Sequence, residues 1–203
     1  MSHTQTALIL SLAPSGESFL KLTALSAETG AFFCLKRISP KNPLKDMPDL
    51  FDTAEIDLET SKQGNALFVR DYRTLNRRSA IGTNYRKLQS ASEFCALLAK
   101  NGPHMGEYAQ LYQLAERSLD AFAERATPSI VLLKSVYLLL KDEGYPVRES
   151  WWPQLPGNLR ATSKTLLNQP TPDSAEKETL QACEAITQNL FRWLQRETDL
   201  MLP

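Results

Sequence analysis

Two runs of basic residues are the part of this sequence whose residue types could do chemistry. Between Lys36 and Lys45 there is no acidic residue, and only Asp71 interrupts the run from Arg70 to Lys87. Cations without nearby acids contact phosphate groups, so both runs favour a polyanionic ligand such as nucleic acid. The candidate nucleic-acid-binding residues are Lys21, Lys36, Arg37, Lys41, Lys45, Arg70, Arg73, Arg77 and Arg78. The alternative is that they are ordinary solvated charges on a neutral protein.

Aromatic residues accompany the basic runs, namely Phe19, Phe32, Phe33, Phe68 and Tyr72. Exposed rings could stack on unpaired bases. We favour the alternative that most of them fill the interior of a small sheet or its contact with helices.

The adjacent indoles Trp151 and Trp152 leave a similar choice. They could take up a partner peptide beside Arg148, but two neighbouring indoles more often seal a loop against a core. We predict the seal.

Enzymatic chemistry has little support in this sequence. Ser15-Gly16-Glu17-Ser18 lacks the flanking glycines of a nucleophile elbow, no glycine-rich phosphate loop is present, and neither His3 nor His104 belongs to a catalytic motif with a cysteine or serine. The three cysteines are widely spaced and lie in apolar runs, which indicates a reducing compartment and offers no zinc-ligand pattern. We therefore expect a protein that is not an enzyme and binds no metal or cofactor.

Charge and hydropathy indicate where a binding surface would be. Over 203 residues the formal charge is zero, but residues 1–87 hold 12 Lys and Arg against 9 Asp and Glu, whereas residues 88–203 hold 11 against 14. The first part is thus the more basic. The apolar stretch from Ala7 to Leu12 is too short for a membrane span or signal peptide, so we expect a soluble, cytoplasmic protein without a membrane partner.

The elements that must position these residues change character near Tyr72. Before it, apolar residues alternate with polar ones in short runs bounded by turn residues, as in half-buried strands. The fourth run has the clearest alternation, with Ala54, Ile56 and Leu58 on one face. The predicted strands are Gln5–Leu12, Ser18–Leu25, Ala31–Arg37, Phe51–Glu59 and Ala66–Tyr72. Five antiparallel strands in so short a segment favour a closed Greek-key barrel, which hides the strand edges.

After Tyr72 the apolar period becomes helical. Tyr85 to Ala99 and Tyr108 to Phe122 each keep three- and four-residue steps, and a third helix is predicted from Pro128 to the Gly144 turn. A polar connection containing prolines and both indoles follows. The last predicted helix opens with Asp173 and Glu176 in capping-box spacing. The predicted fold class is α+β, with a five-stranded barrel in residues 1–78 and an all-helical domain in residues 79–203.

The order of these patterns resembles the RecO family of bacterial recombination mediators. Gly16-Glu17-Ser18 precedes a strand that ends in the turn Glu28-Thr29-Gly30, and the basic residues from Lys36 follow. A strand like Leu50–Glu59 and a leucine-rich helix ending in Glu143-Gly144-Tyr145-Pro146 complete the likeness. The sequence departs from the family after Tyr145, where no cysteine cluster marks a zinc module.

The resemblance implies an N-terminal oligonucleotide-binding barrel, or OB-fold, joined to a helical domain. It also implies binding of single- and double-stranded DNA, annealing of complementary strands, recombinase loading in recombinational repair, and partnership with RecR and the single-strand-binding protein. A protein-interaction scaffold with the same architecture and little DNA affinity is the alternative. A steep fall of affinity with salt would distinguish the DNA-binding protein from the scaffold.

Overall fold

The computed structural model of the chain describes residues 2–38, 47–61, 64 and 66–203. Its fold class is α+β, as predicted: five strands come first and helices follow. The strands are β1 (Ser2–Ser15), β2 (Phe19–Ser26), β3 (Gly30–Arg37), β4 (Thr53–Thr60) and β5 (Leu67–Asn76). Each predicted strand is confirmed. β1 and β5 extend further than the apolar alternation indicated, because Ser2 pairs with Glu59 and Asn76 pairs with Thr53 across the ladder.

The five strands form a closed ring in the order β1-β2-β3-β5-β4. β1 pairs with both β2 and β4, and the ring closes where β3 meets β5 in a short parallel ladder at Leu35–Phe68 and Lys36–Val69. Every strand therefore has two hydrogen-bonded neighbours, which removes the unpaired edges that invite aggregation. The predicted closure of the sheet is confirmed.

The interior of the ring is apolar and follows the predicted alternation. Ala54, Ile56 and Leu58 of β4 all lie in this core, together with Leu22 and Ala24 of β2. Thr23, on the opposite face of β2, is nevertheless 6% exposed, and its Oγ1 accepts a hydrogen bond from the Ser11 hydroxyl at 2.8 Å. A sequence period shows which face a residue occupies, but it does not show what covers that face.

The α-helices of the described chain are α1 (Ser79–Gly82), α2 (Tyr85–Asn101), α3 (Tyr108–Glu124), α4 (Pro128–Asp142), α5 (Trp152–Gln154), α6 (Gly157–Asn168) and α7 (Lys177–Glu197). A 3₁₀ turn at Gly102–His104 follows α2. The predicted helices at α2, α3 and α4 are confirmed. As predicted, α4 begins at Pro128, and Gly144 follows its end with φ of 82°.

Part of the predicted connection after α4 is helical, which corrects the prediction. A π-helical turn at Val147–Trp151 leads into α5, and α6 fills most of the remaining segment. In α6 only Ser163 and Leu166 are buried, so its apolar period was too weak to identify it. The prediction that Asp173 caps the last helix is also wrong. Glu176 is at the N-cap of α7, and Asp173 accepts a hydrogen bond from Arg125 at 3.0 Å.

The predicted indole seal is confirmed for Trp151. Its side chain is fully buried, and its Nε1 donates to Asn189 Oδ1 on α7 at 3.0 Å. The Tyr137 ring of α4 lies 6.1 Å from it, centroid to centroid. Trp152 is half-buried. Capture of a partner peptide by both indoles is thereby excluded, because Trp151 has no free surface.

The chain divides into two compact units, with one boundary between Arg78 and Ser79 and the other two inside α2 and α3. One unit comprises Met1–Arg78 and Leu98–Glu116, and the other comprises Ser79–Leu97 and Arg117–Pro203. In the first unit the Tyr108 ring lies so close to Gly30 that a Cβ there would be 2.7 Å from it, and a Cβ on Gly102 would be 2.9 Å from that of Ala31. The division into a domain of residues 1–78 and one of residues 79–203 stays a prediction.

Candidate nucleic-acid interface

The outward face of β2 and β3 is the candidate site. Leu22 and Cys34 are directly opposite each other and both belong to the core. Side chains alternate across a strand, and residues paired across a ladder share a face. The pairs one or three residues away therefore point outward: Lys21 with Leu35, Thr23 with Phe33, and Phe19 with Arg37.

Exposed aromatic rings lie on this face. Phe33 has 51% of its surface exposed. The half-buried rings of Phe19 and Phe68 pack against each other with centroids 5.8 Å apart and planes tilted by 57°. Phe32 instead packs against the core, and Tyr72 is buried within it. The prediction that most of the five aromatics fill the interior is therefore wrong: Tyr72 and Phe32 do, whereas Phe19, Phe33 and Phe68 are on the outer surface.

Two of the predicted cations share this face with the rings. Lys21 Nζ lies 4.4 Å from the centroid of the Phe33 ring, within cation–π distance. Arg37 is exposed beside Phe19 on the neighbouring strand. Within the described ranges neither Lys21 nor Arg37 has a carboxylate partner. Lys36 lies on the other face, with Nζ 5.6 Å from the centroid of the buried Tyr72 ring.

The arginines of β5 have acidic partners on β4. Arg70 Nε is 3.1 Å from Asp57 Oδ2, and Arg73 Nη2 is 2.9 Å from Glu55 Oε1. Both guanidiniums are more than 60% exposed, so these ion pairs are weak and screened by salt. The acidic face of β4 nevertheless neutralises this part of the basic run.

Arg77 forms an ion pair with a buried carboxylate. Asp52 is fully buried, and Arg77 donates to both of its oxygens, from Nε at 3.0 Å and from Nη2 at 2.8 Å. The Tyr72 hydroxyl donates to Asp52 Oδ2 at 3.0 Å. Burial and the Asp52 charge raise the pKa of Tyr72 above its ordinary value, so the hydroxyl keeps its proton and remains a donor.

Arg78 has a structural position, with only 5% of its surface exposed. Its Nη1 donates to the Phe51 carbonyl at 2.8 Å and to Thr53 Oγ1 at 2.9 Å. Phe51 has the unusual φ of 69°, and Arg78 therefore fixes the strained entry into β4. A buried guanidinium of this kind is not available to a phosphate group.

The remaining predicted cations lie outside the described residues or in the other compact unit. Lys41 and Lys45 lie outside the described residues. Arg86 and Lys87, at the end of the second basic run, belong to the other compact unit, where Lys87 Nζ donates to the Ala123 carbonyl at 2.6 Å. The shared surface expected for both basic runs stays a prediction.

A cavity of about 430 Å³ adjoins the exposed ring of Phe33. Its lining includes Lys21, Leu35, Leu67 and Cys34. Burial raises the pKa of the Cys34 thiol to about 12, so the thiol stays protonated and is a poor nucleophile near neutral pH. Cys34 is therefore not a candidate for covalent chemistry on a ligand in this cavity.

The arrangement combines rings that can stack with cations that can contact phosphates. Sequence reasoning found these residues but not their partners, since pairing such as Lys21 with Phe33 or Arg73 with Glu55 depends on strand register. The charge alternation of β4 was the one available signal that the arginines of a neighbouring strand would be neutralised.

A metal-binding cluster and a membrane-spanning helix are both absent from the described ranges. No group of three or more His, Cys, Asp or Glu side chains there could hold a metal ion. Nor does that part of the chain contain a helix with the length and apolar character needed to span a bilayer. No protein-family model matches the sequence, and no curated protein matches it significantly.

Proposed function

We propose that the strand ring is an OB-fold and that its β2–β3 face binds single-stranded DNA, as part of a recombination mediator of the RecO type. The observation that carries this proposal is the outward face on which the exposed Phe33 ring lies beside Lys21, with Arg37 opposite Phe19 further along the same two strands. Stacking platforms next to backbone-contacting cations are how single strands are bound without sequence preference.

The strand order supports the OB-fold assignment. That fold is a five-stranded Greek-key barrel that binds oligonucleotides on strands 2 and 3 and on the loops between strands 1 and 2 and strands 4 and 5. The candidate face lies on β2 and β3, and the adjoining cavity includes Thr60 at the end of β4 and Gly64 and Ala66 between β4 and β5. Face and cavity therefore occupy the places where such folds take their ligand.

The mediator role rests on the resemblance to the RecO family, together with this face. The proposed activity is binding and annealing of DNA strands and loading of a recombinase, with RecR and the single-strand-binding protein as partners. None of these steps makes or breaks a covalent bond, which agrees with the absence of a catalytic motif from the sequence.

A scaffold without useful DNA affinity is the second candidate. It is favoured by the ion pairs of Arg70, Arg73 and Arg77, which leave fewer cations for phosphates than the sequence indicated. The two candidates differ in how binding responds to salt, because phosphate contacts release counterions and a scaffold makes none.

Titration of a labelled single strand at several salt concentrations tests the proposal. Lys21→Gln/Arg37→Gln should lower the slope of log affinity against log salt by about 1.4, or about 0.7 per lost phosphate contact. Phe33→Ala should weaken binding by roughly tenfold, corresponding to about 1–3 kcal/mol per stacked base, with little change in slope.

The matched control is Arg70→Gln/Arg73→Gln, which removes the same charge from the paired arginines of β5 and should change the slope by less than half as much. Equal effects of the two double variants would contradict a specific β2–β3 site. Binding that does not depend on salt in the unmodified protein would favour the scaffold.

A further inference from the structure

A second cavity, of about 460 Å³, lies within the compact unit that does not contain the strands. Its volume is within the range of about 300–1,000 Å³ that is usual for small-molecule sites. Residues of α2, of the N-terminal end of α4 and of α7 line it, and most of them are polar. We call it the helical cavity.

One face of α2 presents polar residues to the helical cavity. Arg86, Gln89, Ser90 and Glu93 follow one another in helical spacing, at positions i, i+3, i+4 and i+7, and all four line the cavity. A helix normally turns an apolar face towards the helices that it packs against. The polar face of α2 is therefore suited to a polar ligand rather than to close packing.

Ser90 is the buried polar residue of this face, with only 9% of its surface exposed. Within the described part of the chain its hydroxyl has no hydrogen-bond partner, yet its Oγ is not fully enclosed and so reaches the cavity that Ser90 lines. Buried polar groups nearly always have a partner. A ligand in the helical cavity would supply the missing hydrogen bond.

Two carboxylates also line the helical cavity, Glu93 of α2 and Glu184 of α7. Glu93 is half-buried, and burial raises the pKa of its carboxyl above the ordinary value. Among the described residues neither glutamate has a cationic partner. A ligand ammonium group beside Glu93 would offset the cost of burying its charge, and it could also donate to the Ser90 hydroxyl one helical turn away.

The first turn of α4 favours the opposite charge. Its N-cap residue, Thr127, makes no capping hydrogen bond, and its hydroxyl donates instead to the Pro172 carbonyl at 2.8 Å. Pro128 has no N–H group, and the N–H of Ser129, which lines the cavity, has no acceptor within the described ranges. A free N–H at the positive end of a helix dipole binds an anionic oxygen. Arg86, which has no carboxylate partner in those ranges, adds a full positive charge to the same cavity.

The apolar part of the lining consists mainly of Leu132 on α4 and of Leu180 and Phe191 on α7. These side chains would contact an aliphatic group, whose removal from water stabilises a complex. The helical cavity thus combines a place for a cation, a place for an anion and an apolar wall.

We propose that the helical cavity binds a small zwitterion of the α-amino acid class with an aliphatic side chain. The ammonium group binds to Glu93 and Ser90, and the carboxylate binds to the Ser129 N–H and Arg86. Ligands with only one of the two charges fit less well. A phosphate or an acidic peptide is repelled by the two glutamates, and a simple amine leaves the Ser129 N–H and Arg86 without an acceptor.

Calorimetric titration of the full chain with three related compounds tests the proposal. L-Leucine carries both charges, 3-methylbutylamine lacks the carboxylate, and 4-methylpentanoate lacks the ammonium group. Leucine should bind at least about tenfold more tightly than either analogue, because each analogue loses one set of charge-assisted hydrogen bonds.

Two variants assign the ammonium position. Glu93→Gln should weaken the binding of leucine by roughly tenfold or more, but it should change that of 4-methylpentanoate by less than about twofold, since this analogue has no ammonium group. Ser90→Ala removes one hydrogen bond to the ammonium group and should weaken the binding of leucine by roughly fivefold.

The matched control is Glu178→Gln, which makes the same change at an exposed position of α7 outside the cavity lining and should alter the affinity for leucine by less than about twofold. The urea midpoint of each variant shows whether it is folded. A folded protein that binds no leucine at millimolar concentration would overturn the proposal. So would binding of 4-methylpentanoate as tight as that of leucine, or an equal loss of leucine affinity in the control. Because the helical cavity belongs to the unit without strands, none of these results depends on whether the β2–β3 face binds single-stranded DNA.

Discussion

Arg73 and Arg77 are four residues apart in the sequence, yet their surroundings give them different tasks. Arg73 pairs with the exposed Glu55, whereas Arg77 pairs with Asp52, whose side chain has no exposed surface. An exposed ion pair contributes about 0–1 kcal/mol, but removing one partner of a buried charge leaves the other without compensation. Arg77 therefore stabilises the start of β4 more than it serves as a surface cation.

We expect Arg77→Gln to lower the free energy of unfolding by about 2 kcal/mol, somewhat below the range for fully buried pairs because the Arg77 side chain is 45% exposed. Arg73→Gln, the matched control, should cost less than about 1 kcal/mol. Urea denaturation followed by circular dichroism measures both. An equal loss of unfolding free energy in the two variants would show that the ion pair between Arg77 and the buried Asp52 contributes little to stability.

The difference between these arginines could not be predicted from the sequence. Asp52 is distant from Arg77 in the chain, and nothing in the local pattern marks it as buried. Lys21 is the opposite case: the alternation of β2 alone placed it on the outer face. Local periodicity determines orientation, whereas the partner of a charged side chain depends on the closure of the ring.

At the scale of elements, Gly30 shows what the β2–β3 turn requires. Its φ is 71°, a conformation that glycine adopts without the usual steric penalty, and a Cβ would lie 2.7 Å from the Tyr108 ring. Gly16 has a similar φ of 66° but has no atom within 4 Å of the corresponding Cβ position. An alanine at Gly16 would therefore lose stability only through the backbone conformation. An alanine at Gly30 would also lose stability through its contact with the Tyr108 ring of α3.

We expect Gly16→Ala to cost about 1–2 kcal/mol, the price of a left-handed conformation for a residue with a Cβ. Gly30→Ala should cost at least about 1 kcal/mol more, because packing a side chain into occupied space is itself destabilising. Urea denaturation measures both. In a Tyr108→Ala background the two substitutions should cost the same; a persistent difference would contradict the contact with Tyr108 as its cause.

The elements differ in how well the sequence predicted them, for a physical reason. β4 was identified because its apolar residues face a core with a clear period, and α4 because a proline starts it and a glycine follows its end. α6 was missed because it buries little, lies among prolines and presents mostly polar residues. The predicted cap at Asp173 is wrong because a capping motif shows only that a local hydrogen bond is available. In the structure the Asp173 carboxylate accepts a hydrogen bond from Arg125.

At the scale of the whole molecule, the change of hydrophobic period near Tyr72 does not mark the end of the strand-containing unit. That unit also includes Leu98–Glu116, from which Met105, Leu111 and Leu114 are buried. A boundary drawn from periodicity separates strands from helices, but compactness depends on which helices complete the core. The charge count is similarly incomplete, because the acidic second part of the chain contains the exposed cations Arg160, Lys164, Arg192 and Arg196.

We therefore expect a fragment of residues 1–78 to be less stable than one of residues 1–116. The shorter fragment lacks the Tyr108 ring beside Gly30 and the Glu116 carboxylate, which lies 3.9 Å from the buried guanidinium of Arg78 and accepts from Thr53 Oγ1 at 3.3 Å. A fully buried leucine contributes about 1.5–3 kcal/mol, so losing Leu111 and Leu114 with these contacts should cost at least about 3 kcal/mol.

Urea denaturation of the two fragments, together with hydrogen exchange of the β1 amides, measures this difference. The longer fragment should show the higher midpoint and the slower exchange. Substituting Leu111 and Leu114 with Ala in the longer fragment should remove much of its advantage without shortening the chain. Equal midpoints for the two unsubstituted fragments would instead show that the strand ring is complete at Arg78, as the sequence pattern alone predicts.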